Sequence, residues 1–162
     1  LKILDFKEKY PKNLIEKALD KLVENEDFYT IKKFAKDIRK ERFFKLLDRV
    51  KNEKEDEDLG FGIEILKSYL DAYNLNCKDY YKIAQVAYLK GNPDDNLVLF
   101  KDLQEKDEDA LPAYFYLLFK HEMLDKAKEI LDEHSEDEYK AFRALYNLKK
   151  SKLNIKLDDI IN

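Results

Sequence analysis

The chain has 162 residues, of which 44% are hydrophobic and 41% are charged, and its net charge is only -4 because acidic and basic residues nearly balance. Three glycines and three prolines are too few for the turns of a β-sandwich or barrel, and no apolar run approaches the ~18 residues of a membrane-spanning helix. The composition therefore predicts one charged, mostly helical domain, or one array of small helical units that share a core.

The cysteine content and the N-terminus bear on the compartment. Cys77 is the only cysteine, so an internal disulfide and a thiolate zinc cluster are excluded. A reducing compartment fits this usage, and no secretory signal pattern is visible, so we expect a cytoplasmic protein. Because the first residue is Leu1 rather than Met, we also expect the chain to be a domain of a larger protein.

Apolar residues recur every three or four positions through residues 1–52, which predicts an N-terminal helical region. The first stripe follows a break at Pro11 and a candidate cap at Asn13. The three stripes are Leu14, Ile15, Ala18, Leu19, Leu22 and Val23, then Phe28, Ile31, Phe34, Ala35 and Ile38, and then Phe43, Phe44, Leu46, Leu47 and Val50.

The next stretch, KNEKEDEDLGFG, has no periodicity, carries clustered acids and contains two of the three glycines. We predict an acidic, glycine-containing exposed loop at residues 53–62, and we expect it to be the first site of proteolytic cleavage. The helical pattern returns at Ile63, and we assign residues 63–150 to a helical repeat region and residues 151–162 to a C-terminal tail.

The segment DYYKIAQVAYLKGNPDDNLVLFKDL predicts two helices separated by a tight break. We expect Gly91 to close the first helix in the left-handed conformation, which glycine adopts without a Cβ clash. Pro93 suits the first turn of the second helix, where its missing N–H costs nothing. Such a short connection makes the two helices antiparallel, as an αα-hairpin.

A similar unit follows in PAYFYLLFKHEMLDKAKEILDEH. Its apolar residues again form two stripes, and a third stripe from Tyr139 to Leu148 predicts a helix that caps the stack. Corresponding points of the two hairpins, Asn96 and Ala127, are separated by about one repeat of the ~34-residue helix–turn–helix class.

These residues resemble the tetratricopeptide repeat over about residues 80–131. The matching residues are the aromatic Tyr80, the large and small pair Ile83 and Ala84, the loop glycine Gly91 and the second-helix aromatic Phe100. Asn96 departs from the expected alanine, which the second unit supplies as Ala127, and Glu122 replaces the second loop glycine. The resemblance implies an all-α fold of antiparallel αα-hairpins, stacked as a right-handed superhelix or as a helical bundle.

In tetratricopeptide arrays the first helices of successive repeats line a concave groove that holds a peptide or helix of a partner protein. The resemblance implies that the groove of this chain is lined by Tyr81, Gln85, Tyr88, Leu89, Tyr116, Phe119 and Lys120. Tyrosines are effective anchors because a large, stiff ring is buried while its hydroxyl stays polar. Alternatively, the same aromatics pack against neighbouring helices. The residues by which some family members clamp a terminal carboxylate are not reproduced, apart from Lys120.

No constellation of acid, base and nucleophile can be assembled, so we expect no enzymatic activity, no cofactor and no bound metal. His121 and His134 are not in a His-Glu-x-x-His pattern, and the acids near Glu53 lack the register of a calcium loop. Cys77 precedes a helix, a position that lowers a thiol pKa, but an incidental cysteine is the simpler interpretation.

A second hypothesis rests on the basic stretch IKKFAKDIRKERFFK. Its cations are Lys32, Lys33, Lys36, Arg39, Lys40, Arg42 and Lys45. Basic side chains gain affinity by neutralising phosphates, so this face would bind nucleic acid or an anionic surface. The acidic net charge and the interleaved Asp37 and Glu41 weaken this hypothesis. We therefore favour a non-enzymatic protein–protein interaction module of the tetratricopeptide type.

Overall fold

The chain is all-helical in the computed structural model, which describes residues 2–5, 7–53 and 59–161. Helices make up 77% of it, with no strand among the described residues, so the predicted fold class is confirmed at this level. The helices are α1 (Lys2–Asp5), α2 (Lys12–Asn25), α3 (Phe28–Ile31), α4 (Lys40–Asn52), α5 (Ile63–Leu70), α6 (Cys77–Lys90), α7 (Pro93–Lys106), α8 (Leu111–Lys120), α9 (Leu124–Asp132) and α10 (Lys140–Ile161). None of the helices in the described part combines the length and the apolar character needed to cross a membrane.

The second predicted stripe forms a chain of tight turns instead of one helix. Asp27 caps α3 by accepting a hydrogen bond from the N–H of Thr30, and a 3₁₀ turn follows at Lys32–Phe34. Phe28, Ile31 and Phe34 are spaced by three, and 3₁₀ geometry places such residues on one side. All three are therefore buried, although the helix ends after one turn.

One hydrophobic core joins the region before residue 53 to the region after residue 62. Tyr69 of α5 lies 5.5 Å, between ring centroids, from both Phe28 and Phe43, and its hydroxyl donates a 2.8 Å hydrogen bond to the carbonyl of Phe28. Because a buried hydroxyl without a partner is costly, this bond orients the ring within the core. The boundary predicted between the two regions thus separates segments that pack together.

The predicted acidic loop lies mostly outside the described residues, since residues 54–58 are not among them. Its described end differs from the prediction because residues 59–62 are half-buried rather than exposed. The carbonyl of Leu59 accepts a 2.8 Å hydrogen bond from the N–H of Phe28, and the ring of Phe61 lies 5.8 Å from that of Phe28. An apolar side chain next to two glycines thus ties this segment to the core.

The first predicted hairpin is formed by α6 and α7. A capping box begins α6, in which Asn76 accepts from the N–H of Asp79 and Asp79 accepts from the N–H of Asn76. The prediction for Gly91 is wrong: its φ of -94° and ψ of 171° are extended, not left-handed. Pro93 occupies the first turn of α7, as expected.

The second hairpin, α8 and α9, contains the left-handed residue that the first one lacks. Glu122 has a φ of 56°. The N–H of Met123 donates to the carbonyl of Leu118, and the N–H of Glu122 donates to that of Phe119. This pair of bonds is a Schellman motif, which satisfies carbonyls that the end of α8 would otherwise leave unpaired.

Two contacts complete the arrangement around α8. This helix packs against both α6 and α7, so the two hairpins share an interface. The last helix, α10, packs on α9 and places Phe142 4.7 Å from the ring of Phe115 in a stacked arrangement. The tail boundary predicted at residue 150 falls inside α10, which continues to Ile161.

Candidate functional site

Three tyrosines meet where α6 packs against α8. Tyr81 and Tyr88 are seven residues apart on α6, a spacing that places them on the same face of the helix. The ring of Tyr116 from α8 lies edge-on to both, with centroids 5.0 Å from Tyr81 and 6.3 Å from Tyr88. Edge-to-face pairs at such distances are favourable beyond the apolar area that they bury.

A lysine completes this tyrosine cluster, which we define as Tyr81, Tyr88, Tyr116 and Lys120. Lys120 lies four residues after Tyr116, one turn along α8, and its Nζ is 5.6 Å from the Tyr88 ring centroid and 5.8 Å from that of Tyr116. Each distance is within cation–π range. The cluster thus presents flat aromatic surface beside an exposed positive charge.

The hydroxyls of the cluster remain protonated at neutral pH. Burial, followed by the neighbouring Tyr81 and Tyr88, raises the pKa of Tyr116 above its ordinary value. A neutral phenol can both donate and accept a hydrogen bond, so Tyr116 can pair with either kind of polar group on a ligand.

The other predicted groove residues have different positions. Leu89 is 55% exposed and Gln85 is half-buried, and both lie on α6 with the tyrosines. Phe119 was wrongly placed in the groove: it is only 3% exposed, and its ring stacks against Phe115 and Phe142 at 6.2 Å. The reason is that α10 covers this side of α8, a long-range contact that the spacing within α8 does not reveal.

One neighbour of the cluster was missed by sequence reasoning. His121 lies at the end of α8, with its ring 5.3 Å from that of Tyr88, and its buried Nε2 has no hydrogen-bond partner among the described residues. No helical spacing points to this contact, because α8 ends at Lys120 and the chain turns away. The aromatic surface also has a cation beyond the cluster: Lys82 of α6 lies over Phe44 of α4, 5.4 Å from the ring centroid.

Acidic partners divide the basic stretch at residues 32–45. Arg42 is almost buried and pairs with Glu16 and Asp20, Arg39 also pairs with Glu16, and the Nζ of Lys40 lies 2.9 Å from an oxygen of Asp79. Part of the predicted basic face is therefore neutralised by carboxylates of α2 and α6. The exposed lysines of this stretch are Lys32, Lys33, Lys36 and Lys45.

The remaining candidates for chemistry are isolated in the described part of the chain. The Cys77 thiol is at the start of α6, but desolvation, followed by the nearby Asp109, raises its pKa, which opposes the lowering expected at a helix start. The Nδ1 of His134 pairs with Glu138 at 2.8 Å. Among these residues, no group of three or more histidine, cysteine or acidic side chains is placed to hold a metal ion.

Comparisons were made with protein-family models, with curated proteins and with solved structures. None of them found a match to this chain.

Proposed function

We propose that this chain is a non-enzymatic protein–protein interaction module that binds a peptide or helix of a partner at the tyrosine cluster. The observation that carries the proposal is that four of the predicted groove residues, from two different helices, are in mutual contact and retain accessible surface. Aromatic side chains of this kind contribute a large part of the energy of many protein interfaces.

The arrangement of the helices supports the same proposal. Two consecutive αα-hairpins share an interface at α8, and the small residues Ala84 and Ala127 are fully buried, which allows their helices to approach closely. A tetratricopeptide-like superhelix, with the cluster on its concave side, is the form of stacking that we propose. In that form, α6 and α8 are the first helices of successive repeats.

The residues at the edge of the cluster favour binding over a purely internal role. Tyr81 is 39% exposed and Leu89 is 55% exposed, so both keep apolar surface in contact with water. A partner that covers them would gain hydrophobic free energy of about 25 cal/mol for each Å² of apolar area removed from water. Tyr88 and Tyr116 are half-buried, and we propose that they form the floor beneath these two residues.

The test begins with selecting peptides from a random displayed library against the intact chain. The affinity of the best peptide is then measured for the variant Tyr81→Ala/Leu89→Ala. We expect this variant to lose about 2 kcal/mol or more of binding free energy, as hot-spot residues do. Its melting temperature should hardly change, because exposed side chains contribute little to stability.

The matched control is Val98→Ala. Val98 is 58% exposed on α7 and lies outside the cluster, so this variant removes exposed apolar surface without touching the proposed site. It should bind the peptide like the unmodified chain. A library that yields no binder, or a peptide that tolerates the double substitution, would contradict the proposal.

The alternative of a broad polyanion-binding face has less support. Arg39, Lys40 and Arg42 are engaged by carboxylates of the same chain, and each would have to leave its partner before contacting phosphate. Retention on heparin that falls steeply with salt, and that is abolished by replacing Lys36, Arg39 and Lys40 with glutamate, would favour this alternative.

A further inference from the structure

An open depression lies between the turns at residues 29–36 and helix α5. Its volume is about 860 Å³, and it is distinct from the tyrosine cluster. The polar residues of its wall are Tyr29, Thr30, Lys32, Lys33, Lys36 and Ser68. Tyr29 is 71% exposed, so its ring and hydroxyl stand at the rim.

Every charged residue that lines this depression is a lysine. Lys33 is held in place, with its Nζ 4.6 Å from the centroid of the Phe34 ring. Lys32 and Lys36 are exposed, and neither forms an ion pair with any carboxylate of the described residues. This contrasts with Arg39 and Lys40 in the same stretch, which pair with acids.

The tight turns of this segment explain why the charges are concentrated. After α3 the chain forms a 3₁₀ turn and further turns instead of an extended helix, so three ammonium groups that lie within five positions border one depression. A regular helix would have spread them around its circumference. Their mutual repulsion is unfavourable without a counter-ion, and an anion in the depression relieves it.

Hydroxyl groups add hydrogen-bond donors at the same place. Thr30 and Ser68 line the wall, and the Ser68 Oγ donates only a long 3.3 Å bond to the carbonyl of Glu64. A lysine is a compact point charge with three donors and binds phosphate readily. Several ammonium groups and hydroxyls around one depression suit a ligand that carries several charges within a small volume.

We infer that this depression is a binding site for a small anion that carries two or more phosphate groups. The confined clustering of lysines, with the adjoining arginines already neutralised, fits a compact anion better than a long polymer. The site is separate from the proposed peptide-binding surface, so either proposal can fail without the other.

The direct test is calorimetric titration of the intact chain with inorganic tripolyphosphate. We expect saturable binding that weakens as salt increases. The variant Lys32→Gln/Lys36→Gln should bind about tenfold more weakly or worse, because two charges facing the anion are removed. Lys45→Gln is the matched control, because Lys45 is exposed in the same basic stretch but lines a different depression, beside Asp48.

Thermal melts of both variants without ligand establish that they fold normally. Vesicles of phosphatidylcholine, with and without phosphatidylinositol bisphosphate, then identify the source of the phosphate groups. Binding to the phosphorylated vesicles that the double substitution removes indicates a lipid headgroup, and binding to tripolyphosphate alone indicates a soluble ligand. The inference is overturned if tripolyphosphate does not saturate, if Lys45→Gln weakens binding as much as the double variant, or if only heparin binds.

Discussion

The side-chain amide of Asn96 occupies the space next to Gly91 in which a larger residue would place its Cβ. A Cβ on Gly91 would lie 2.8 Å from both the nitrogen and the oxygen of this amide, and 3.0 Å from the carbonyl oxygen of Ala87. Asn96 is fully buried, and its Nδ2 donates a 2.6 Å hydrogen bond to that carbonyl. The glycine is therefore required by a close approach between side chain and backbone, not by an unusual φ.

This contact predicts that Gly91→Ala destabilises the fold. The added methyl group must displace a fully buried amide, and overpacking of this kind costs about 1–3 kcal/mol. The measurement is the free energy of unfolding from urea titration, monitored by circular dichroism.

A double-mutant cycle isolates the contact. Asn96→Ala alone should cost only about 1 kcal/mol, because the carbonyl of Ala87 keeps its bond from the N–H of Gly91 and the buried Oδ1 of Asn96 has no partner among the described residues. In that background Gly91→Ala should cost clearly less than it does alone. Equal costs in both backgrounds would show that the amide is not the obstacle.

A second prediction concerns Glu122, whose φ of 56° lies in the left-handed region. A residue with a Cβ pays about 1–2 kcal/mol for this conformation, and glycine does not pay it. Glu122→Gly should therefore raise the free energy of unfolding by about 0.5–1 kcal/mol, after allowing for the greater entropy of glycine in the unfolded chain.

The control for this prediction is Glu122→Ala. It removes the same exposed carboxylate but keeps the Cβ, so it should leave stability within about 0.5 kcal/mol of the original. If alanine stabilises the protein as much as glycine does, the removed charge rather than the backbone conformation is responsible.

A third prediction compares two arginines that share a partner. Arg42 and Arg39 both pair with Glu16, but the side chain of Arg42 is 10% exposed whereas that of Arg39 is 59% exposed. Arg42→Ala should cost about 2–3 kcal/mol, because it leaves Glu16 and Asp20 without their main partner. Arg39→Ala should cost less than about 1 kcal/mol, as exposed ion pairs usually do. Similar losses for the two variants in urea unfolding would refute this comparison.

A fourth prediction follows for the dependence of stability on pH. The hydrogen bond from Arg42 is the largest cause lowering the pKa of Glu16 and of Asp20 below their ordinary values of 4.5 and 3.8. Because the folded state holds the depressed pKa, the stabilisation is complete above about pH 4.5 and is lost as the pH falls through the lowered values. The urea midpoint should therefore decrease steeply below about pH 4.5.

Glu16→Gln/Asp20→Asn tests the assignment. This variant should be less stable at neutral pH, and its urea midpoint should change less between pH 5 and pH 3, the range in which the original carboxylates take up protons. Parallel pH curves for the variant and the original would assign the acid sensitivity to other carboxylates.

The sequence alone was sufficient for the helical class and for the position of the main breaks. Apolar spacing and the scarcity of turn residues are local properties, and Pro93 begins a helix because its own ring sets φ and removes a donor. Sequence spacing likewise identified Tyr81, Tyr88 and Tyr116, since the two α6 residues share a face whatever the helix packs against.

Only the tertiary structure decided how these elements use their side chains. Phe119 became part of the core because α10, more than twenty residues later, stacks Phe142 on it. The basic stretch lost part of its charge because Glu16 and Asp79 come from other helices, and Gly91 is explained by Asn96 one turn into the next helix. Spacing along one helix assigns residues to a face, but which face is covered, and by which charge, depends on contacts between segments that local periodicity does not encode.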